Sequence, residues 1–125
     1  MRSYDLKLLA ALPPAEFHVL HVCRDNNLLP LFADYPVQAL NWDTLGHGNL
    51  SLAEGKDLLP GKIVIGGIPH QKGLVDGKPE QLAKTVRDLR AVMSNKGWML
   101  GTGCTFPPET PEANIEAIRK SVETV

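Results

Sequence analysis

The chain has 125 residues, 43% hydrophobic and 22% charged, which is typical of one globular domain spanning residues 1–125. Its 13 basic and 14 acidic residues give a net charge of −1 without a Lys/Arg cluster along one face, so nucleic acid is not an expected partner. No apolar run approaches the roughly 18 residues of a membrane span, and two cysteines do not make a disulfide scaffold, so a cytoplasmic location without membrane contact is expected.

Four short, β-branched apolar stretches are the predicted strands, and a helix is predicted after each of them. The strands are expected at Phe17–Val22, Val37–Trp42, Ile63–Ile68 and Trp98–Leu100. The first three are expected to be buried on both faces. The helices are expected within residues 26–36, 51–61, 79–97 and 110–122. Strand and helix alternating four times predict an α/β fold with a parallel sheet.

The number of these units suits half of a (β/α)8 barrel. A complete barrel typically needs about 250 residues, so the prediction is a (β/α)4 half-barrel. A flavodoxin-like open sheet would need similar strands, but no glycine-rich phosphate loop follows the first strand.

Local signals support the boundaries of the helices. Ser51 and Glu54 have the spacing of a capping box, and Pro79 suits the first position of the third helix. Gly97 fits the position just after that helix. The last helix is expected to bury three apolar side chains, Ile115, Ile118 and Val122.

The segment FHVLHVCRD places His21 and Cys23 at the end of the first strand. Side chains two apart on a strand share a face, and barrel active sites are built at this end of the strands. Cys104 follows the fourth strand and is expected at the same rim. One imidazole and two thiolates suit zinc, and three protein ligands leave a fourth position open for substrate. The alternative is that all three are packed or hydrogen-bonded residues without a metal.

Several segments, in one order, resemble the C-terminal part of the uroporphyrinogen decarboxylase family. They run from about Leu8 onward and include HVLHVCRD, FADYPVQALNWDTLGHGN, GKIVIGGI and GWMLGTGCTFPPETPEANIEAIRKSV. The resemblance implies the last four β/α units of a TIM barrel. The superfamily also contains cobalamin-dependent methyltransferases that alkylate thiol coenzymes. In the zinc-dependent branch the ligands form a His-X-Cys…Cys pattern, which implies zinc at His21, Cys23 and Cys104 and cobalamin on a partner protein.

Four further residues are candidates at the same rim. The family often has glycine after this cysteine, whereas this chain has Arg24, which could bind an anionic group of the substrate. Asp43 matches a family position and is the catalytic candidate, as the partner of an imidazole or a contact to substrate. Its alternative role is to cap a turn. His47 and His70 lie in predicted loops and are expected to be surface residues.

The leading functional hypothesis is a methyltransferase-like zinc-thiolate site, or its remnant, that activates a thiol. The first alternative is a carboxy-lyase acting on a tetrapyrrole, but the family's N-terminal arginines and aspartate are absent. Its Gly-His-Gly turn is replaced here by Gly101-Thr102-Gly103-Cys104. The second alternative is a non-catalytic assembly module. Because a half-barrel leaves two unpaired strand edges, a homodimer or larger assembly is expected.

Overall fold

The computed structural model describes residues 2–93 and 95–123. The helices in this part of the chain are α1 (Arg2–Ala11), α2 (Leu52–Leu58), α3 (Lys72–Val75), α4 (Pro79–Val92) and α5 (Glu112–Glu123). The strands are β1 (Val19–Val22), β2 (Ala39–Trp42), β3 (Ile63–Ile68) and β4 (Trp98–Thr102). None of the described helices has the length and apolar character that crossing a bilayer requires.

The four strands form one parallel sheet in the order β1-β2-β3-β4. The register places Asn41 of β2 between His21 of β1 and Ile65 of β3. Because all strands run the same way, their carboxyl ends lie at one edge of the sheet. The predicted fold class is confirmed: the architecture is α/β, as in half of a (β/α)8 barrel.

The core lies between the sheet and the helices on one of its faces. Leu40, Trp42 and Val64 are fully buried there. The indole nitrogen of Trp42 donates a hydrogen bond of 2.8 Å to the Leu50 carbonyl, which satisfies its polar atom in the core. Helix α2 packs so closely on this ring that a Cβ at Gly55 would overlap it.

The opposite face of the sheet is more open. Val19 on β1 and Met99 on β4 are 52% and 48% exposed, and His21 on β1 is also exposed. The prediction that the first strand is buried on both faces is therefore wrong. Its alternate side chains Leu20 and Val22 contact the core, whereas Val19 and His21 point to the side that would be the inside of a closed barrel.

The prediction of a helix within residues 26–36 is wrong, because the chain forms only a 3-10 turn at Leu29–Phe32. The Asn27 side chain accepts a hydrogen bond from the Leu29 amide at 3.1 Å, which competes with helical pairing. Pro30 has no amide hydrogen to extend the helix. The short turn is sufficient to return the chain to the start of β2.

The start signals of α2 and α4 are confirmed. Ser51 accepts from the Glu54 amide at 3.3 Å, and the Glu54 carboxylate accepts from the Ser51 amide at 2.8 Å. The Ser51 hydroxyl also donates to this carboxylate at 2.7 Å, and this bond, followed by the one from the Ser51 amide, lowers the pKa of Glu54. Helix α4 begins at Pro79 as predicted, but it is capped at Met93, so Gly97 lies beyond the predicted position.

The buried side of α5 differs from the prediction. Ile115 and Val122 are 41% and 44% exposed, and the buried residue is Asn114. Its amide donates to the carbonyls of Leu74 and Gly77 at 2.7 and 2.9 Å. Asn114 therefore connects α5 to α3 and the turn after it through hydrogen bonds, while the predicted Ile118 adds apolar packing against the buried cluster that includes Leu74.

Candidate metal centre

The three predicted ligands, His21, Cys23 and Cys104, lie together at the carboxyl edge of the sheet. Each offers a nitrogen or sulfur atom, and these atoms all lie within 4.8 Å of one another. The two sulfurs are 3.9 Å apart. A tetrahedral zinc with Zn–S bonds of about 2.3 Å would separate two sulfurs by about 3.8 Å. The donor types and the sulfur spacing therefore fit zinc.

The backbone brings these ligands together from opposite edges of the sheet. His21 is on β1, Cys23 follows the end of β1, and Cys104 follows β4. At Gly103, a Cβ would lie 2.6 Å from the Asp43 Cα. The loop that carries Cys104 passes so close to Asp43 that only glycine fits at this position.

The imidazole of His21 is held by a residue that the sequence reasoning missed. Its Nδ1 lies 2.6 Å from Oδ1 of Asn41, the paired residue on β2. The Asn41 amide nitrogen donates to the carbonyls of Ile65 and Thr102, each at 3.0 Å. An asparagine within an otherwise apolar strand was the available signal, since a buried amide needs partners.

An open cavity of about 650 Å³ adjoins the ligands. Small-molecule sites commonly have volumes of roughly 300–1,000 Å³. The lining includes both thiols and three of the other rim candidates: Cys23, Cys104, Arg24, Asp43 and His70. A molecule in this cavity would contact sulfur, cationic and carboxylate groups.

Arg24 has an unusual backbone for its residue type. Its φ is +74°, a region that glycine enters freely and other L-residues enter at a cost of about 1–2 kcal/mol. This conformation gives a physical reason for the glycine that the family resemblance implies at this position. The Arg24 carbonyl accepts a hydrogen bond from the side-chain nitrogen of Asn49 at 3.0 Å. Its guanidinium forms no ion pair with an acidic residue of the described chain.

Asp43 lies beside an imidazole, but the imidazole is that of His70. Their closest atoms, Oδ2 and Nδ1, are 3.6 Å apart, and both side chains are more than four-fifths buried. The surface prediction for His70 is therefore wrong, because the loop after β3 turns its side chain toward the cavity. His47 is exposed as predicted. Asp43 also accepts from the Leu45 amide at 3.1 Å, so it caps a turn as well.

Comparison with known proteins agrees with this architecture. The family model for uroporphyrinogen decarboxylase (URO-D) matches residues 4–125. No curated protein sequence matches the chain. Among solved structures, a methyltransferase from Methanosarcina mazei is similar, with a TM-score of 0.79 and 21% identity over 98% of this chain and 35% of that chain. The chain thus spans about a third of that protein, and the likeness shows the fold. Because the family model covers nearly every residue, the chain belongs to the uroporphyrinogen decarboxylase family.

Proposed function

We propose that this chain carries a zinc-thiolate site that activates a thiol as a methyl acceptor. The observation that carries the proposal is the meeting of His21, Cys23 and Cys104 at the sheet edge, with the two sulfurs 3.9 Å apart. Three ligands leave one position of a tetrahedron open. Zinc bound there would hold an incoming thiol as the thiolate, which is the nucleophile for methyl transfer.

The surroundings of the three ligands support a binding site in preference to a closed structural site. Cys23 and Cys104 both line the cavity, and Cys23 is exposed. A substrate in the cavity would therefore reach the open position directly. The methyl donor in this proposal is cobalamin held by a partner protein, consistent with the fold that the chain shares with a methyltransferase. The family model that matches the chain is named for the carboxy-lyase, but the Gly-His-Gly turn of that branch is replaced here by Gly101-Thr102-Gly103-Cys104.

In this proposal Arg24 makes the cavity prefer thiols that carry an anionic group. Its side chain lines the cavity without a carboxylate partner in the described chain, so its charge is available to a ligand. Unfavourable backbone conformations tend to persist where the side chain has a task. We therefore assign Arg24 to an anionic group carried by the thiol.

A cobalt-substituted form of the protein tests both assignments. Adding 2-mercaptoethanol should raise the sulfur-to-cobalt charge-transfer absorption, because a third thiolate joins the metal. Mercaptoacetate should bind more tightly than 2-mercaptoethanol. Arg24→Gly should weaken mercaptoacetate binding about tenfold and leave 2-mercaptoethanol binding unchanged.

The experiment can contradict thiol activation and the role of Arg24 independently of each other. Unchanged absorption with both thiols would show that no coordination position is open, and thiol activation would be wrong. An Arg24→Gly protein that binds both thiols as the wild type does would remove only the role of Arg24. Glycine suits the positive φ, so loss of fold is not expected to obscure the comparison.

A further inference from the structure

We propose that Asn41 is a positioning residue that holds His21 in the tautomer with its proton on Nδ1, which keeps Nε2 free for a metal. The inference rests on the ligand set of the proposed function. Asn41 contacts the ligand His21 directly and the segment that carries the ligand Cys104. Histidine tautomers at metal sites are commonly set by such a hydrogen bond to the second ring nitrogen.

The orientation of the Asn41 amide follows from its neighbours. Two backbone carbonyls, those of Ile65 and Thr102, lie 3.0 Å from its nitrogen. Carbonyl oxygens only accept hydrogen bonds, and the amide nitrogen has two hydrogens to donate. A flipped amide would place its oxygen against both carbonyls and lose both bonds. The amide oxygen must therefore face His21.

The tautomer of a neutral His21 follows from that orientation. The Asn41 oxygen has no hydrogen, so it can only accept from the ring nitrogen 2.6 Å away. Nδ1 must then carry the proton, and the lone pair of the neutral ring is on Nε2. The free side chain of histidine prefers the proton on Nε2, so the protein environment must stabilise the form with the proton on Nδ1.

The same amide also connects His21 to the loop of Cys104. Thr102, whose carbonyl accepts one of the two amide hydrogens, lies two residues before Cys104. Asn41 thus reaches from β2 past β3 to the end of β4, while its oxygen holds the ring on β1. One side chain fixes the position of ligands that come from both edges of the sheet.

Nuclear magnetic resonance of the metal-free, reduced wild-type protein tests the inference directly. At about pH 8.5 imidazole is neutral, and long-range ¹H–¹⁵N correlations distinguish the two tautomers. The signals of His21 are identified by their loss in His21→Gln. We expect the proton on Nδ1. A proton predominantly on Nε2 would overturn the inference without any variant being needed.

Two substitutions separate positioning from simple structural support. Asn41→Asp keeps an oxygen for Nδ1 but loses both donations to carbonyls, so it should retain the tautomer and lower the thermal stability. Asn41→Leu should lose the tautomer preference and weaken zinc binding about 10–100-fold. Gln38→Leu is the control, because this amide on the same segment accepts from the His18 backbone away from the site.

The outcomes distinguish this inference from the proposed function. Equal tautomers and equal zinc affinity in Asn41→Leu and the wild type would overturn the positioning role while leaving thiol activation intact. If no thiol joins the metal but His21 carries its proton on Nδ1 and loses that preference in Asn41→Leu, thiol activation fails and the role of Asn41 stands. Should Asn41→Asp fail to fold, the wild-type spectrum still decides.

Discussion

Replacing Cys23 or Cys104 with serine is expected to lower the zinc affinity by more than about 100-fold. Loss of a residue that merely orients a ligand typically costs 10–100-fold, so loss of a direct sulfur ligand should cost more. The double variant should bind zinc more weakly still, because it keeps only His21 of the three ligands. Competition with a chromophoric chelator measures these affinities.

Histidine variants supply a matched control for this prediction. His21→Gln should weaken zinc binding strongly, whereas His47→Gln should not, because His47 is an exposed residue of a neighbouring loop outside the ligand cluster. Chelation should also lower the melting temperature of the wild type and of His47→Gln, but not that of the cysteine variants. Equal zinc affinity in all six proteins would show that the cluster is not the binding site.

The chain is also expected to self-associate in solution, and we propose a two-fold dimer. Strands β1 and β4 are both edges of the sheet, and the described residues contain no further strand to pair with either. Between these edges the open face exposes Val19 and Met99. A two-fold axis along the barrel would keep all strands parallel and pair each β4 with the partner's β1, giving eight strands.

Light scattering at micromolar concentration measures this association. The wild type should have about twice the mass of one chain. Val19→Lys and Met99→Lys should shift it to monomer, because each would bury an unpaired charge inside the barrel. Val92→Lys is the control, since Val92 is 72% exposed on α4, away from the open face. A stable wild-type monomer that binds no apolar dye would contradict the dimer.

The meeting of His21, Cys23 and Cys104 could be predicted from sequence because it follows from strand spacing and strand direction. A spacing of two on a strand puts His21 and Cys23 on one face, and a parallel sheet brings Cys104 to the same edge. The capping box of α2 was likewise visible, since Ser51 and Glu54 are three residues apart. Such features depend on spacing within one element or on the direction of the strands.

Features that depend on register or on loop paths could not be predicted. The partnership of His21 with Asn41 requires the pairing of two strands twenty residues apart. The place of His70 in the cavity depends on the path of the loop after β3. The buried Asn114 was missed because its partners are carbonyls of α3 and of the turn after it, and apolar periodicity predicts no such bonds.

X-ray absorption at the zinc edge tests the central claim most directly. The protein should be purified without a polyhistidine tag and loaded with one equivalent of zinc. We predict two sulfurs at about 2.3 Å and nitrogen or oxygen ligands at about 2.0–2.1 Å. Adding 2-mercaptoethanol should raise the sulfur count to three. Zinc without sulfur ligands, or a sulfur count that the thiol leaves at two, would contradict a thiol-activating site at His21, Cys23 and Cys104.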